Sequence, residues 1–163
     1  MRNRVANNKK KPKLSKDNRP TTEIIKIGVD PDSYLKLAPV WRFSDFDWDG
    51  PWGLASCSER IDHLKSHIEK HLASFETMTW GEILIASGGR KNGTNSHPIS
   101  ADKFKNEARS RFAGKNIIAD TIFSLRLDAG TRIYGIREGN CLRIILFDPF
   151  HKDPEKCAYL FSK

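Results

Sequence analysis

The stretch Thr121–Phe147 leaves this chain the fewest folding options. It divides into TIFSLRL (Thr121–Leu127), TRIYGIR (Thr131–Arg137) and CLRIILF (Cys141–Phe147). In each, apolar residues recur at every second position, the spacing of side chains that alternate between the two faces of a strand. Asp128-Ala129-Gly130 separates the first two segments and Gly139-Asn140 the last two. The former suits a three-residue hairpin loop with Gly130 left-handed, the latter a two-residue loop with Gly first. These turns predict a register: Leu127 opposite Thr131, Arg126 opposite Arg132, Ile136 opposite Arg143 and Glu138 opposite Cys141. One face then holds Phe123, Leu125, Leu127, Ile133, Leu142, Ile144 and Leu146. The other holds Ser124, Arg126, Arg132, Tyr134, Arg143, Ile145 and Phe147. A two-residue first turn would mix the sets, so the apolar separation favours the longer loop.

Upstream the period lengthens. Ile61, Leu64, Ile68, Leu72 and Phe75 recur at the helical interval and predict a helix over Ser58–Phe75, with Ser58 as its cap. Thr79–Ala86 reads as a short helix, capped by Thr77 or Thr79. Ser100–Ala113 reads as another, with Ser100 as N-cap and Phe104, Ala108 and Phe112 on one side. Ser87–Ser96 has loop composition. Thr22–Val29 is a strand candidate, and Val40–Ser44, with Trp41 and Phe43 two apart, is a second strand candidate or an aromatic plug. Helices before strands predict an α+β domain, the helices packed on one face of a C-terminal antiparallel sheet.

Charge is unevenly placed. The net charge is +8 over 163 residues, yet residues 1–20 carry eight basic side chains against Asp17 alone. The rest has 20 basic and 19 acidic groups, so it carries about +1. Residues 1–21 hold few large apolar side chains and read as a disordered basic tail that attracts polyanions or merely solubilises; residues 22–163 read as one domain. A binding patch on that domain must come from local sorting.

The meander supplies such sorting. Arg126, Arg132 and Arg143 share a face with Tyr134, and guanidinium groups side by side repel unless an anion or carboxylate lies between them. A phosphate-binding surface meets this need, since arginine matches phosphate bidentately. A solvated face whose arginines pair with Asp128, Glu138 or Asp148 meets it equally.

The text SLRLDAGTRIYGIREGNCLRIILFDPFHKDPEKCAY resembles the C-terminal half of the RelE/ParE toxin superfamily: a Lys/Arg-Leu strand, a Gly-x-Arg hairpin, a further strand, a basic/His segment and a late Tyr. Trp41–Ser44, Thr79-Trp80, Ser96–Ile99, Arg126–Ile136 and Asp148–His151 are also similar to motifs of a less characterised bacterial group. The resemblance implies a RelE-like fold. It further implies a metal-independent endoribonuclease in which a ribose 2′-OH attacks the adjacent phosphate, on RNA that includes ribosome-associated mRNA, with an antitoxin as protein partner. Arg132 falls on the Gly-x-Arg arginine and Arg126 on the preceding strand's basic position. His151 and Lys152 fall in the basic segment, and Tyr159 near the late tyrosine. His151 would be the acid/base and Arg126 and Arg132 the phosphate clamp; Arg143, Tyr134, Lys152 and Tyr159 would assist binding. Ser124 replaces a strand lysine common in the family, and Asp148 adds negative charge. Relatives of the ParE type keep the fold without nuclease activity, so a non-catalytic binder of protein or nucleic acid is the second expectation.

Other motifs point elsewhere. Asp45–Gly50 has the DxDxDG opening of a calcium loop, but Ser56 stands where the bidentate glutamate belongs. His63, His67 and His71 are spaced for one helix face and can bind a metal or simply flank the apolar stripe. His97, in Ser96-His97-Pro98-Ile99, can cap, pack or approach His151. Ser56 and Cys57 have no base pattern nearby. Cys57, Cys141 and Cys157 form no CxxC pair and no even disulfide set, which suggests a reducing compartment. With no secretory h-region and no run of membrane-span length, a cytoplasmic location follows. Neither a cofactor nor a metal ligand is assigned.

Overall fold

The computed structural model describes residues 32–54, 61–86 and 95–160. The basic tail, the Thr22–Val29 strand candidate, Ser56, Cys57 and most of the 87–96 loop lie outside them. Three helices are described: α1 (Ile61–Glu76), α2 (Trp80–Ile85) and α3 (Asn106–Gly114). The strands are β1 (Val40–Arg42), β2 (His97–Ser100), β3 (Thr121–Arg126), β4 (Arg132–Glu138) and β5 (Cys141–Asp148). They form one sheet in the order β1-β5-β4-β3-β2. The domain is therefore α+β.

The sheet is not purely antiparallel. β1 runs parallel to β5, pairing Trp41 with Leu142, whereas β2, β3, β4 and β5 meet antiparallel. Trp80 at the start of α2 explains how so short a β1 is held. Its indole donates to Asn140 O at 2.8 Å, beside Val40 N on the same carbonyl, and its ring packs edge-on against Trp41 and Phe123. Thr79 caps α2 and exchanges hydrogen bonds with Glu82, which forms a capping box.

Nor do the helices share one face. Ile68 and Leu72 of α1 and Trp80 and Ile83 of α2 join Phe123, Leu125, Ile133, Leu142 and Ile144 in one core. Ala108 and Phe112 of α3 join Ile122, Tyr134, Ile145 and Leu146 in another. The second face, expected to be polar, needs cover because β3 and β5 present isoleucine and leucine there as well. Phe104, Ala108 and Phe112 are buried as their spacing predicts, although Phe104 precedes the helix. Ser100 ends a strand rather than capping a long helix.

The hairpin registers form as read: Arg126 opposite Arg132, Ile136 opposite Arg143 and Glu138 opposite Cys141. The left-handed glycine is Gly139 (φ 60°), not Gly130. In the first turn, Asp128 does the shaping: its Oδ1 accepts from Gly130 N at 2.6 Å and Thr131 N at 2.8 Å.

Beyond Gly135 the register shifts. Gly135 faces Ile144, but Tyr134 faces Leu146, so Ile145 is the extra residue of a β-bulge. Ile145 O accepts from Asp47 N at 2.8 Å, and Trp52 O accepts from Phe147 N at 2.8 Å, which ties the 45–54 segment along β5. The bulge corrects the predicted faces: Phe147 enters the α1/α2 core and Leu146 the α3 core. It also brings Asp148, rather than Phe147, opposite Arg132.

Candidate phosphate-binding site

Arg126 and Arg132 meet across β3 and β4 at the Asp128 turn. Asp128 O accepts from Arg126 Nε at 3.0 Å and from Arg132 Nη1 at 2.6 Å, so one carbonyl fixes both guanidinium groups. Arg132 Nη1 also donates to Thr131 O at 2.9 Å, and Arg132 is buried. Arg126 Nη1 donates to Asn95 Oδ1 at 2.9 Å, and Ser96 Oγ accepts from Arg126 N at 3.1 Å. Among the described residues, no salt bridge joins either arginine to a carboxylate. Burial first, and then the neighbouring Arg126 charge, lower the pKa of Arg132.

His151 stands next to this pair. Its backbone N–H donates to Gly130 O at 2.9 Å, which ties the segment after β5 to the Asp128 turn. Burial, followed by the charges of Arg132, Arg126 and His97, pushes the His151 imidazole down to about 4. It is therefore neutral at pH 7. His97 reaches this neighbourhood through β2, whose pairing sets it opposite Ser124.

The segment that carries His151 is held by a carboxylate. Asp148 is fully buried; its Oδ1 accepts from Phe150 N at 2.8 Å and its Oδ2 from Ala158 N at 2.9 Å. The two bonds close the loop that carries His151 between them. Burial raises the Asp148 pKa, against the lowering effect of those backbone donors. The Asp-Pro-x-His text thus has a physical reading: the aspartate anchors the loop that presents the histidine.

The remaining sequence-derived residues divide. Lys152 is exposed and its side chain lies beside Gly130. The Tyr159 ring is half-buried, its centroid 6.4 Å from that of His151. Tyr134 is fully buried, edge-on to Phe104, with no exposed surface for a ligand, and its hydroxyl has no hydrogen-bond partner among the described residues. Burial and the Asp148 charge raise its pKa. Arg143 is not brought to the pair. It faces Ile136 and makes salt bridges to Asp45 at 3.4 Å and Glu138 at 3.6 Å. The carboxylate-paired alternative therefore describes Arg143, but not Arg126 or Arg132.

The acidic 45–50 stretch does not converge on a cation. Asp45 turns to Arg143, and buried Asp47 turns to Arg111 at 3.5 Å and Lys115 at 3.9 Å. His67 Nε2, by contrast, lies 2.8 Å from Asp128 Oδ2, and its ring stacks edge-on with His71. The side chain of His63 lies outside the described residues. Sequence reading missed Asn95 and Ser96 as supports of Arg126, and Asp148 as the anchor of the His151 loop. For the first two, the Ser-His motif was the only available signal. Among the described residues, no helix is long and apolar enough to cross a membrane.

Compared with family models, curated proteins and solved structures, the chain matches none.

Proposed function

We propose that this chain is a metal-independent endoribonuclease of RelE-like arrangement, with RNA as substrate. One observation carries the reading: two cross-strand arginines are held side by side by a single carbonyl, with no carboxylate salt bridge among the described residues, next to a neutral histidine. An RNA phosphate between Arg126 and Arg132 would relieve their mutual repulsion and complete their hydrogen bonding. His151, neutral at physiological pH, takes the proton of the ribose 2′-OH as that oxygen attacks the phosphate. The arginines stabilise the charge that grows on the phosphoryl oxygens. The departing 5′-oxygen collects a proton from Lys152 or Tyr159, both beside the site. His151 starts unprotonated at pH 7, so this proton comes from a separate group.

A toxin of this kind acts in the cytoplasm, where an antitoxin would cover the arginine pair. Expression of the full chain in a heterologous bacterial host is expected to arrest growth, and His151→Asn or Arg132→Ala to relieve the arrest at equal protein level. Unimpeded growth with intact, folded wild-type protein would contradict the reading. RNA retention without cleavage would move the chain to the non-catalytic binders of the same fold.

A further inference from the structure

Behind the arginine pair, on the α1 side of the same turn, lies a second constellation. One nitrogen of His67, one of His71 and a carboxylate oxygen of Asp128 all lie within 4.8 Å of one another. His67 and His71 are one helical turn apart on α1, so both imidazoles project from one face. Asp128 comes from the β3–β4 turn. All three are partly exposed, which leaves room for a solvent ligand.

We infer that His67, His71 and Asp128 form a binding site for a divalent transition cation of the zinc class. The donor set decides the class. Two imidazoles and one carboxylate suit borderline cations, whereas magnesium and calcium prefer oxygen-rich shells. Around a four-coordinate ion with bonds of about 2.0–2.1 Å, ligand atoms stand about 3.3 Å apart. The three donor atoms, within 4.8 Å of one another on partly exposed side chains, must draw together to that distance around the ion. Water takes the fourth position.

The carboxylate is already oriented for this role. Its Oδ1 is held by Gly130 N and Thr131 N, which leaves Oδ2 directed at His67. Such outer hydrogen bonds fix the direction of a metal-binding carboxylate and raise affinity. A bound cation would clamp the turn to α1. The main-chain oxygen of that same residue holds Arg126 and Arg132, so the clamp stiffens the arginine pair without touching it. The cation takes no part in the chemistry proposed above, and its binding does not depend on that chemistry.

Titration of the full chain, freed of metal, with zinc chloride tests the site. Calorimetry should show an equivalent of zinc whose affinity falls at least about ten-fold in His71→Ala and in Asp128→Asn. Asp128→Asn keeps an oxygen for Gly130 N and Thr131 N, so it removes the ligand charge while preserving the turn. His71→Gln guards against a packing defect in the alanine variant. Zinc should raise the midpoint of thermal unfolding in the wild type and not in the variants, and magnesium should leave it unchanged. Absence of zinc binding would overturn the proposal. So would binding that survives in both His71→Ala and Asp128→Asn, since the zinc would then sit elsewhere.

Discussion

His151 titrates well below its ordinary value. Free imidazole titrates near 6.5, and in the fold burial and two guanidinium groups hold it at about 4. The unfolded chain therefore takes up this proton at a higher pH than the folded one. Stability from this group is complete above 6.5 and is lost as pH falls toward 4. Denaturant unfolding followed from about pH 8 to about pH 4 should show this loss in the wild type and a smaller one in His151→Asn. Equal pH dependence in the two proteins would mean that His151 is not shielded. Composition could single out this histidine but not its state, which depends on Arg132 and Arg126 being near, and so on the register of a hairpin.

That hairpin was legible. Asp128-Ala129-Gly130 is a loop of the right length, and only one register separates Leu125 and Ile133 from the arginines. The β4–β5 pairing was legible as far as Gly135 and not beyond. Ile144, Ile145, Leu146 and Phe147 are all apolar, so no alternation marks where a residue is inserted. Both sheet faces are buried here, and a bulge costs no hydrophobic contact. Asp148 thereby comes opposite Arg132, a pairing that the regular register hides. Gly135 is the one mark of the irregularity: a Cβ there would collide with the main-chain oxygen of Arg143. Gly135→Ala should accordingly destabilise the fold by about 1–3 kcal/mol, read from urea unfolding. An unchanged midpoint would show that β5 yields easily at the bulge. The second face was misjudged for a related reason. Three arginines suggested solvent, while Ile122, Tyr134 and Ile145 on the same side needed the cover that α3 provides.

At the scale of the whole molecule, charge and site are separate matters. Residues 1–20 hold a net +7 of the total +8, and the rest carries about +1. Removing them should weaken RNA affinity and flatten its dependence on salt, because fewer counterions are released. The position of cleavage and the rate at saturating RNA should not change. A shifted cleavage position would assign recognition to the tail. The proposed chemistry rests instead on residues from three places in the chain: Arg126 and Arg132 on the central hairpin, His151 on the loop anchored by Asp148, and Asn95 and Ser96 steadying Arg126 before β2. The most direct decision comes from incubating the purified full chain with RNA, with and without ribosomes, in the presence of EDTA, and identifying the new ends. Attack by the 2′-OH predicts 2′,3′-cyclic phosphate ends, with cleavage reduced by about 10²-fold or more in Arg132→Ala. Intact RNA under both conditions, or cleavage unaltered by Arg132→Ala, would contradict the assignment of the arginine pair as the catalytic phosphate site.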